Sequence, residues 1–160
     1  MTPAEHLLAG DSFDGETFSD LELETADLSG KELYRCTFRG VKLRQSRWEG
    51  ARLEECTFED CDLRYGAFLD AVLRGTSFRG CKLSEATFSG CDLGQADFSG
   101  TELTGAVFEA CTFAGADLRA ARGAFLDPAK NKVKGARVSV ETAALLALAA
   151  GMRVEGYEEA

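Results

Sequence analysis

Large apolar residues recur at every fifth position from Phe13 to Leu118, in 22 consecutive positions without a miss. A period of five fits neither the 3.6-residue repeat of an α-helix nor the two-residue alternation of a flat strand. A chain that buries every fifth side chain has to turn a corner about once in each repeat. The pattern therefore predicts a solenoid of short extended segments.

The residue two positions before each of these central residues is usually small. Because residues i and i−2 point to the same side of an extended segment, a large and a small side chain point inward together. The other three residues of each repeat point outward. All six cysteines occupy the small inward site, which indicates buried thiols in a reducing compartment. They are Cys36, Cys56, Cys61, Cys81, Cys91 and Cys111.

The near alternation of Leu and Phe from Leu53 to Phe108 predicts four sides to each coil, because four sides sort the core into uniform columns. One column would hold Phe18, Phe38, Phe58, Phe78 and Phe98. The opposite column would hold Trp48, Phe68, Phe88 and Phe108. Outward charges agree, since one ladder at 20-residue spacing alternates in sign through Glu22, Lys42, Asp62, Lys82 and Glu102.

The motif of a small residue, any residue, Leu or Phe, and two further residues resembles the signature of the pentapeptide-repeat family over positions 11–120. The resemblance implies an all-β solenoid, a right-handed quadrilateral β-helix, with a short C-terminal α-helix as a cap. We expect an N-terminal cap over 1–10 and repeats over 11–140. Gly123 and Pro128 fall at central positions and predict a loop at 121–130.

The two ends of the chain depart from the repeat. At the start, the frame places Leu8 at a central site and His6 at a small inward site. At the other end, Ser139 is typical of an N-cap, and the sequence predicts a helix over 140–150 capped by Gly151. A short strand is expected at 152–154.

Residues 141–160 are expected to form a helix and strand cap that also dimerises. The segment 133–138, followed by Leu145 and Gly151, resembles the C-terminal module of the Qnr and MfpA proteins, which implies a two-fold homodimer. The alternative is a cap on the chain's own last coil. The dimerisation residues predicted in this way are Ala144, Leu145, Leu148, Ala149, Met152 and Val154.

Composition narrows the function. A net charge of −9 argues against direct nucleic-acid binding, which needs a basic face. No apolar run reaches the roughly 18 residues of a membrane span, so a cytoplasmic protein is expected. The repeat fills its interior with apolar side chains and indicates no nucleophile–base pair, phosphate loop or metal cluster. We expect a non-enzymatic protein that binds another protein and carries no cofactor or metal.

The resemblance implies a DNA mimic that binds DNA gyrase or topoisomerase IV, as in quinolone resistance. Two stretches without a base form the candidate acidic surface, although basic residues between them interrupt it. Its members are Asp11, Asp14, Glu16, Asp20, Glu22, Glu24, Asp27, Glu85, Asp92, Asp97, Glu102, Glu109 and Asp117.

Two alternatives stay open. One is a structural scaffold or interaction module without topoisomerase activity. Its candidate interface patch consists of apolar residues at outward positions, namely Tyr65, Ala67, Leu69 and Val72. The other is an immunity protein against a gyrase-targeting toxin, which shares the mechanism of the DNA mimic.

Overall fold

The computed structural model describes residues 1–157. The chain winds into a parallel β-solenoid in which residues 20 apart pair, as in Phe13 with Leu33 and Leu33 with Leu53. Each coil has four faces, which we name A to D after the central residues Phe13, Phe18, Leu23 and Leu28 of the first coil. The prediction of a quadrilateral β-helix with a short C-terminal helix is confirmed.

Nine three-residue strands and two helices are regular enough to be named. The strands are β1 Ser12–Asp14, β2 Thr17–Ser19, β3 Glu32–Tyr34, β4 Thr37–Arg39, β5 Arg52–Glu54, β6 Thr57–Glu59, β7 Ala67–Leu69, β8 Thr87–Ser89 and β9 Val107–Glu109. The helices are α1 Pro3–Ala9 and α2 Val140–Ala149. Face A holds β1-β3-β5, face B holds β2-β4-β6 and face D holds β7-β8-β9. Isolated parallel bridges continue the ladders as far as Arg137.

The aromatic columns predicted from the repeat are present in the core. On face B, Phe38 and Phe58 stack with ring centroids 4.7 Å apart and planes inclined by 6°. On face D, Phe68 and Phe88 stack at the same separation. Rings of the two columns meet edge to face, as Trp48 does with Phe58 at 5.8 Å. Parallel coils therefore stack identical shapes at the strand spacing, which gives dense packing.

The small inward site has a second role, which depends on the shape of the corner. At most corners the central carbonyl accepts from the amide three residues later, as Leu23 does from Ala26 at 3.1 Å. At the nine corners that follow a named strand, this bond is absent. Instead, beyond the first coil, the carbonyl accepts from the small inward side chain 23 residues later.

These donors are mainly cysteine thiols. Cys61 Sγ donates to the Phe38 carbonyl at 3.3 Å, and Thr76 Oγ1 donates to the Leu53 carbonyl at 3.0 Å. The other donors at these corners are Cys56, Cys81, Cys91, Cys111 and Asn131. Thr101 makes the same bond to the Phe78 carbonyl, which also accepts from the Cys81 amide. All six cysteines are buried free thiols. Their interpretation as small apolar fillers was therefore incomplete, because five of them satisfy buried carbonyl groups.

Helix α1 closes the N-terminal end of the rod. Thr2 and Glu5 form a reciprocal capping box at its start. The helix buries Leu7 and exposes Leu8, so the expectation that Leu8 points inward is wrong. A helix advances by 3.6 residues per turn and cannot keep the five-residue frame. His6 is likewise outside, where its ring meets Phe13 edge to face at 5.2 Å.

Lys31 joins this helix to the solenoid. It occupies the small inward site of the second coil and is buried. Its Nζ donates to the carbonyls of Leu8 at 3.1 Å and Gly10 at 2.5 Å. These carbonyls lie at the C-terminal end of α1, where the helix dipole favours a cation. A buried lysine thus takes the place of a small apolar residue because it holds the cap.

Helix α2 lies at the C-terminal end. Ser139 Oγ accepts from the Thr142 amide at 3.1 Å, and the side chains of Thr142 and Ala144 are buried. The strand predicted at 152–154 is wrong, since this segment has no regular structure. The ladder ends with Arg137, so no neighbouring strand is available, and the Met152 amide donates to the Ala147 carbonyl instead.

Candidate binding surfaces

Successive coils of the rod alternate in net charge. Residues 11–30 hold seven acids and no base, residues 31–50 hold six bases and two acids, and residues 51–70 hold six acids and two bases. Residues 71–90 have an excess of bases, and residues 91–110 hold four acids and no base. Each coil from residues 31–50 to residues 91–110 therefore lies between two coils of opposite net charge.

The ion pairs follow this alternation. Arg39 Nε lies 2.7 Å from Glu59 Oε2 in the next coil. The residues of the predicted ladder stack in register, but Asp62 pairs with Arg64 of its own coil at 2.6 Å. Lys42 pairs across coils with Glu22, with Nζ 3.5 Å from Oε1. These side chains are largely exposed, so each pair contributes only about 0–1 kcal/mol. Their main effect is to determine which charged side chains on the surface of the rod are left without a partner.

The acidic stretch from Glu85 to Asp117 is not a free acidic surface. Five of its six carboxylates contact a base, and four of these bases lie outside the stretch in another coil. The pairs are Asp92–Arg74 at 3.2 Å, Asp97–Arg79 at 3.8 Å, Glu102–Arg122 at 2.9 Å, Glu109–Lys130 at 3.8 Å and Asp117–Arg119 at 2.9 Å. The expectation of an unpaired acidic surface over this stretch is wrong, because the bases come from residues distant in sequence.

Asp117 illustrates how local this neutralisation is. Hydrogen bonds from the side chain and the backbone amide of Arg119 lower the pKa of the Asp117 carboxyl to about 2. The Asp117 carboxylate is therefore already hydrogen-bonded to Arg119. A partner that needed this charge would have to break those hydrogen bonds first.

The first coil, residues 11–30, differs because it has a basic neighbour on one side only. Three of its carboxylates have partners, with Asp14–Arg35 at 2.6 Å, Glu16–His6 at 2.9 Å and Glu22–Lys42 at 3.5 Å. The others are exposed and make no ion pair within residues 1–157. They are Asp11, Asp20, Glu24 and Asp27. In the described part of the chain, the first coil therefore holds the largest number of unpaired carboxylates in one coil, and residues 51–70 hold three more, Glu55, Asp60 and Asp70.

The candidate apolar patch is only partly brought together. Tyr65 stands at the corner between faces C and D and is 51% exposed, with the Arg44 guanidinium 5.8 Å from its ring centroid. Ala67 and Leu69 lie on β7 of face D and are partly buried. Val72 lies beyond the next corner on face A. The patch therefore bends around the rod and is not one flat surface.

The predicted dimerisation residues divide into two groups. Ala144 is buried against the rod, and Leu148 and Val154 are partly buried. Leu145, Ala149 and Met152 are exposed. Helix α2 thus buries Ala144 at the end of the rod and leaves Leu145 and Ala149 exposed on its surface.

The surface between these regions offers shallow clefts. One cleft of about 380 Å³ on face A is lined by charged and polar side chains, including Tyr34, Glu55 and Arg74. Within residues 1–157, no group of His, Cys, Asp and Glu side chains is arranged to hold a metal ion. No helix in this part of the chain has the length and apolar character to cross a membrane.

The fold and its surfaces define a four-sided parallel β-solenoid with helical caps. The family model described as the pentapeptide repeat region matches residues 16–88 and 31–108, and the chain belongs to this family. No curated protein matches the sequence.

Solved structures with a similar fold include a pentapeptide repeat protein from the Arabidopsis thaliana thylakoid lumen. It is 27% identical with a TM-score of 0.51, over 68% of this chain and 71% of that one. Rfr23 from the cyanobacterium Cyanothece is 19% identical with a TM-score of 0.47, over 79% and 86% of the two chains. QnrB1, a plasmid-mediated fluoroquinolone resistance protein, is 22% identical with a TM-score of 0.32, over 90% of each chain. The last two likenesses are too weak to carry an argument about function.

Proposed function

We propose that this protein is a non-enzymatic binding protein that presents the acidic N-terminal end of a rigid rod to a basic surface of another protein. The observation that carries the proposal is the charge of the first coil, seven carboxylates without a base, of which four have no ion pair within residues 1–157. A fixed array of carboxylates attracts a basic surface and speeds its association.

The filled interior supports a binding role over catalysis. Leu, Phe, Cys and Ala occupy the inside of the rod, and two clefts of about 380 and 410 Å³ on its surface are lined in large part by charged and polar residues. A catalytic site needs titratable groups that converge in a cleft. The charged groups here pair along flat faces, which suits contact with a macromolecule.

DNA gyrase is a candidate partner, because its DNA-binding surface is the kind of basic surface that an acidic rod would meet. The acidity supports this candidate best at the N-terminal end, where the first coil holds seven carboxylates and no base. The ion pairs between residues 85 and 117 count against a phosphate mimic along the whole rod. An immunity protein against a gyrase-targeting toxin would use the same contact. A scaffold without topoisomerase activity would use another surface, such as Tyr65 and its neighbours.

A supercoiling assay with purified DNA gyrase, with and without a quinolone, tests the proposal. The test variant neutralises three unpaired carboxylates of the first coil. It carries Asp11→Asn, Asp20→Asn and Glu24→Gln. The matched control removes the same charge from three exposed or partly exposed carboxylates elsewhere that make no ion pair within residues 1–157. It carries Glu49→Gln, Asp60→Asn and Asp70→Asn.

We expect the wild-type protein and the control to alter supercoiling at similar concentrations, and the test variant to need about tenfold more protein or greater. The difference should shrink as salt is raised, because salt screens exposed charges. A wild-type protein without effect on gyrase would remove this partner. Equal activity of both variants would remove the first coil as the contact surface.

We also propose a homodimer through the C-terminal end, supported by the exposed apolar side chains of α2. Leu145→Asp places a charge on this surface, whereas Glu141→Gln, one turn away, serves as a control. Light scattering after size exclusion should find a dimer for the wild type and the control, and a monomer for Leu145→Asp. A wild-type monomer at high micromolar concentration would contradict the dimer. The six free thiols favour the cytoplasm as the compartment.

A further inference from the structure

Tyr65 is an aromatic side chain held outward at a corner of the rod. It stands between faces C and D, and its backbone has a φ of 61°. A bulky side chain rarely adopts this left-handed conformation, which costs free energy. Tyr65 is the only aromatic residue among the eleven non-glycine residues with positive φ within residues 1–157. Half of its surface is exposed, so burial in the core does not offset this cost.

Arg44 approaches the ring of Tyr65 from the preceding coil. Its guanidinium carbon lies 5.8 Å from the ring centroid, within the range of a cation–π interaction. Glu24 occupies the matching outward position of the first coil, yet Arg44 makes no ion pair within residues 1–157. Arg64, by contrast, donates to both carboxylate oxygens of Asp62. Arg44 therefore keeps N–H groups available for an acceptor outside the chain.

A second arginine without an ion pair lies on the other side of the same corner. Arg47 is exposed on face D, in register with Asp27 of the first coil and Ala67 of the third. The Asp27 carboxylate accepts from the Ser29 amide at 3.1 Å and lies beyond ion-pair distance of Arg47. Two guanidinium groups at this corner are thus free of carboxylates in the part of the chain that the structure describes.

The neighbouring part of face D is a regular sheet whose outward positions carry no charge over two coils. These positions are Ala67 and Leu69 on β7 and Thr87 and Ser89 on β8, which pair in register. Val107 on β9 continues the strip and exposes 45% of its surface. An uncharged, partly apolar strip therefore begins beside Tyr65 and the two arginines.

The size and the borders of this surface limit what it can bind. The exposed half of Tyr65 supplies on the order of 100 Å², and the small side chains of face D add less. This is well below the roughly 800 Å² that each partner buries in a stable complex of two folded proteins. Glu49 and Glu85 border the surface and would repel a densely charged chain such as a nucleic acid. A short segment with one or two carboxylates and a neighbouring apolar side chain meets both limits.

We propose that Arg44, Arg47, Tyr65, Ala67 and Leu69 form a surface that binds a short acidic segment of a partner protein. The carboxylates of this segment contact the two guanidinium groups, which bind carboxylates through charge-assisted hydrogen bonds. An adjacent aromatic or aliphatic side chain packs on the Tyr65 ring and the apolar part of face D. This contact is independent of the first coil, whose carboxylates attract a partner of the opposite charge.

Selection from a random dodecapeptide phage library tests the proposal. The full-length protein is the target, and the double variant Arg44→Gln, Arg47→Gln is the counter-target that removes peptides bound elsewhere. We expect the selected peptides to carry Asp or Glu close to Phe, Trp or Leu. A selection that yields no peptide dependent on the two arginines, or yields peptides without acidic residues, would overturn the inference.

Fluorescence anisotropy of the most enriched peptide then gives dissociation constants. The double variant and Tyr65→Ser should each weaken binding about tenfold or more, because Arg and Tyr side chains often dominate the affinity of an interface. Lys82→Gln removes another exposed base that makes no ion pair within residues 1–157, and Tyr34→Ser removes a tyrosine on face A. Both controls should change the constant less than about twofold. Circular dichroism confirms that each variant is folded, and equal weakening by the controls would overturn the assignment.

Glu24→Gln supplies a readout of opposite sign. Removing this carboxylate from the coil beside Arg44 should tighten peptide binding, whereas it should weaken the proposed contact of the first coil with a basic partner. Weaker peptide binding by Glu24→Gln would contradict the proposed surface. Tighter binding of dodecathymidylate than of any selected peptide would assign the surface to nucleic acid, and a dimer that Tyr65→Ser dissociates would assign it to a second copy. Each of these results would overturn the inference and leave the proposed contact of the first coil standing.

Discussion

Replacing Lys31 by methionine removes the hydrogen bonds that join α1 to the solenoid while keeping a side chain of similar length. The ammonium donates to the carbonyls of Leu8 and Gly10 at the end of α1. Methionine keeps the contacts of the stem and offers no donor. The substitution therefore isolates the hydrogen bonds from the packing.

The expected loss is about 2 kcal/mol. A hydrogen bond from a charged group contributes roughly 1.5–3 kcal/mol, and part of the two bonds is offset because the buried ammonium no longer has to be desolvated. In a solenoid each repeat contacts only its neighbours, so the loss of stability is confined to the N-terminal end of the rod. We expect α1 to detach from the first coil and to expose Leu7 and Phe13, while the rest of the rod stays folded.

Limited proteolysis and hydrogen exchange measure this local opening. Exchange in peptides from residues 1–20 should accelerate about thirtyfold in Lys31→Met, which corresponds to about 2 kcal/mol. Exchange in peptides from 60–100 should not change. Lys134→Met, at an exposed lysine, is the control and should behave as wild type. Equal exchange of residues 1–20 in Lys31→Met and wild type would refute the role assigned to this lysine.

Three further predictions concern the core. Phe68→Ala leaves a gap in the face D column and should lower the free energy of unfolding in urea by about 3–5 kcal/mol. Cys81→Ser keeps a donor for the Phe58 carbonyl and should lower the free energy of unfolding less than Cys81→Ala does. Cys81→Ala leaves that carbonyl unsatisfied, at a cost of about 1–3 kcal/mol. Equal losses of stability in the two variants would contradict the thiol's role as donor. Burial raises the pKa of the Cys56 thiol from 9.0 to about 12. The neutral buried thiol therefore contributes fully to the free energy of unfolding below pH 9, and this contribution is lost as pH rises towards 12. Urea unfolding from pH 7 to pH 11 should show less decline in Cys56→Ser than in wild type.

The register of the solenoid could be predicted from the sequence because packing determines it. A slip by one repeat would stack Phe on Leu throughout the core, and the alternation from Leu53 to Phe108 excludes that arrangement. The same reasoning identified the inward cysteines. It did not show that they donate to carbonyls, because the five-residue frame does not reveal which corners lack their own turn hydrogen bond.

The structure of the two chain ends and the ion pairs could not be predicted from the five-residue repeat, because they depend on contacts between side chains that the repeat does not specify. Leu8 is in frame and yet exposed, because helical geometry replaces the repeat before Gly10. Lys31 violates the pattern of small inward residues, and its acceptors exist only once α1 has docked. The bases that contact Asp92 and Asp97 lie 18 residues earlier in the chain, outside the acidic stretch, so the composition of the stretch alone does not indicate these ion pairs.

The alternation of charge explains why many carboxylates of this acidic protein are paired with bases of a neighbouring coil. Each coil from residues 31–50 to residues 91–110 lies between two coils of opposite sign, and the first coil alone combines seven acids with a single basic neighbour. Six ladder steps of about 4.8 Å separate this coil from the last rungs, so the rod is on the order of 30 Å long. Joined at their C-terminal ends, two copies would hold their acidic coils on the order of 60 Å apart. Such a dimer would favour a partner with two separate basic sites, since binding at both raises the overall affinity. A single basic groove would meet the neutral middle of the dimer, so the spacing of a partner's basic sites decides which partner fits.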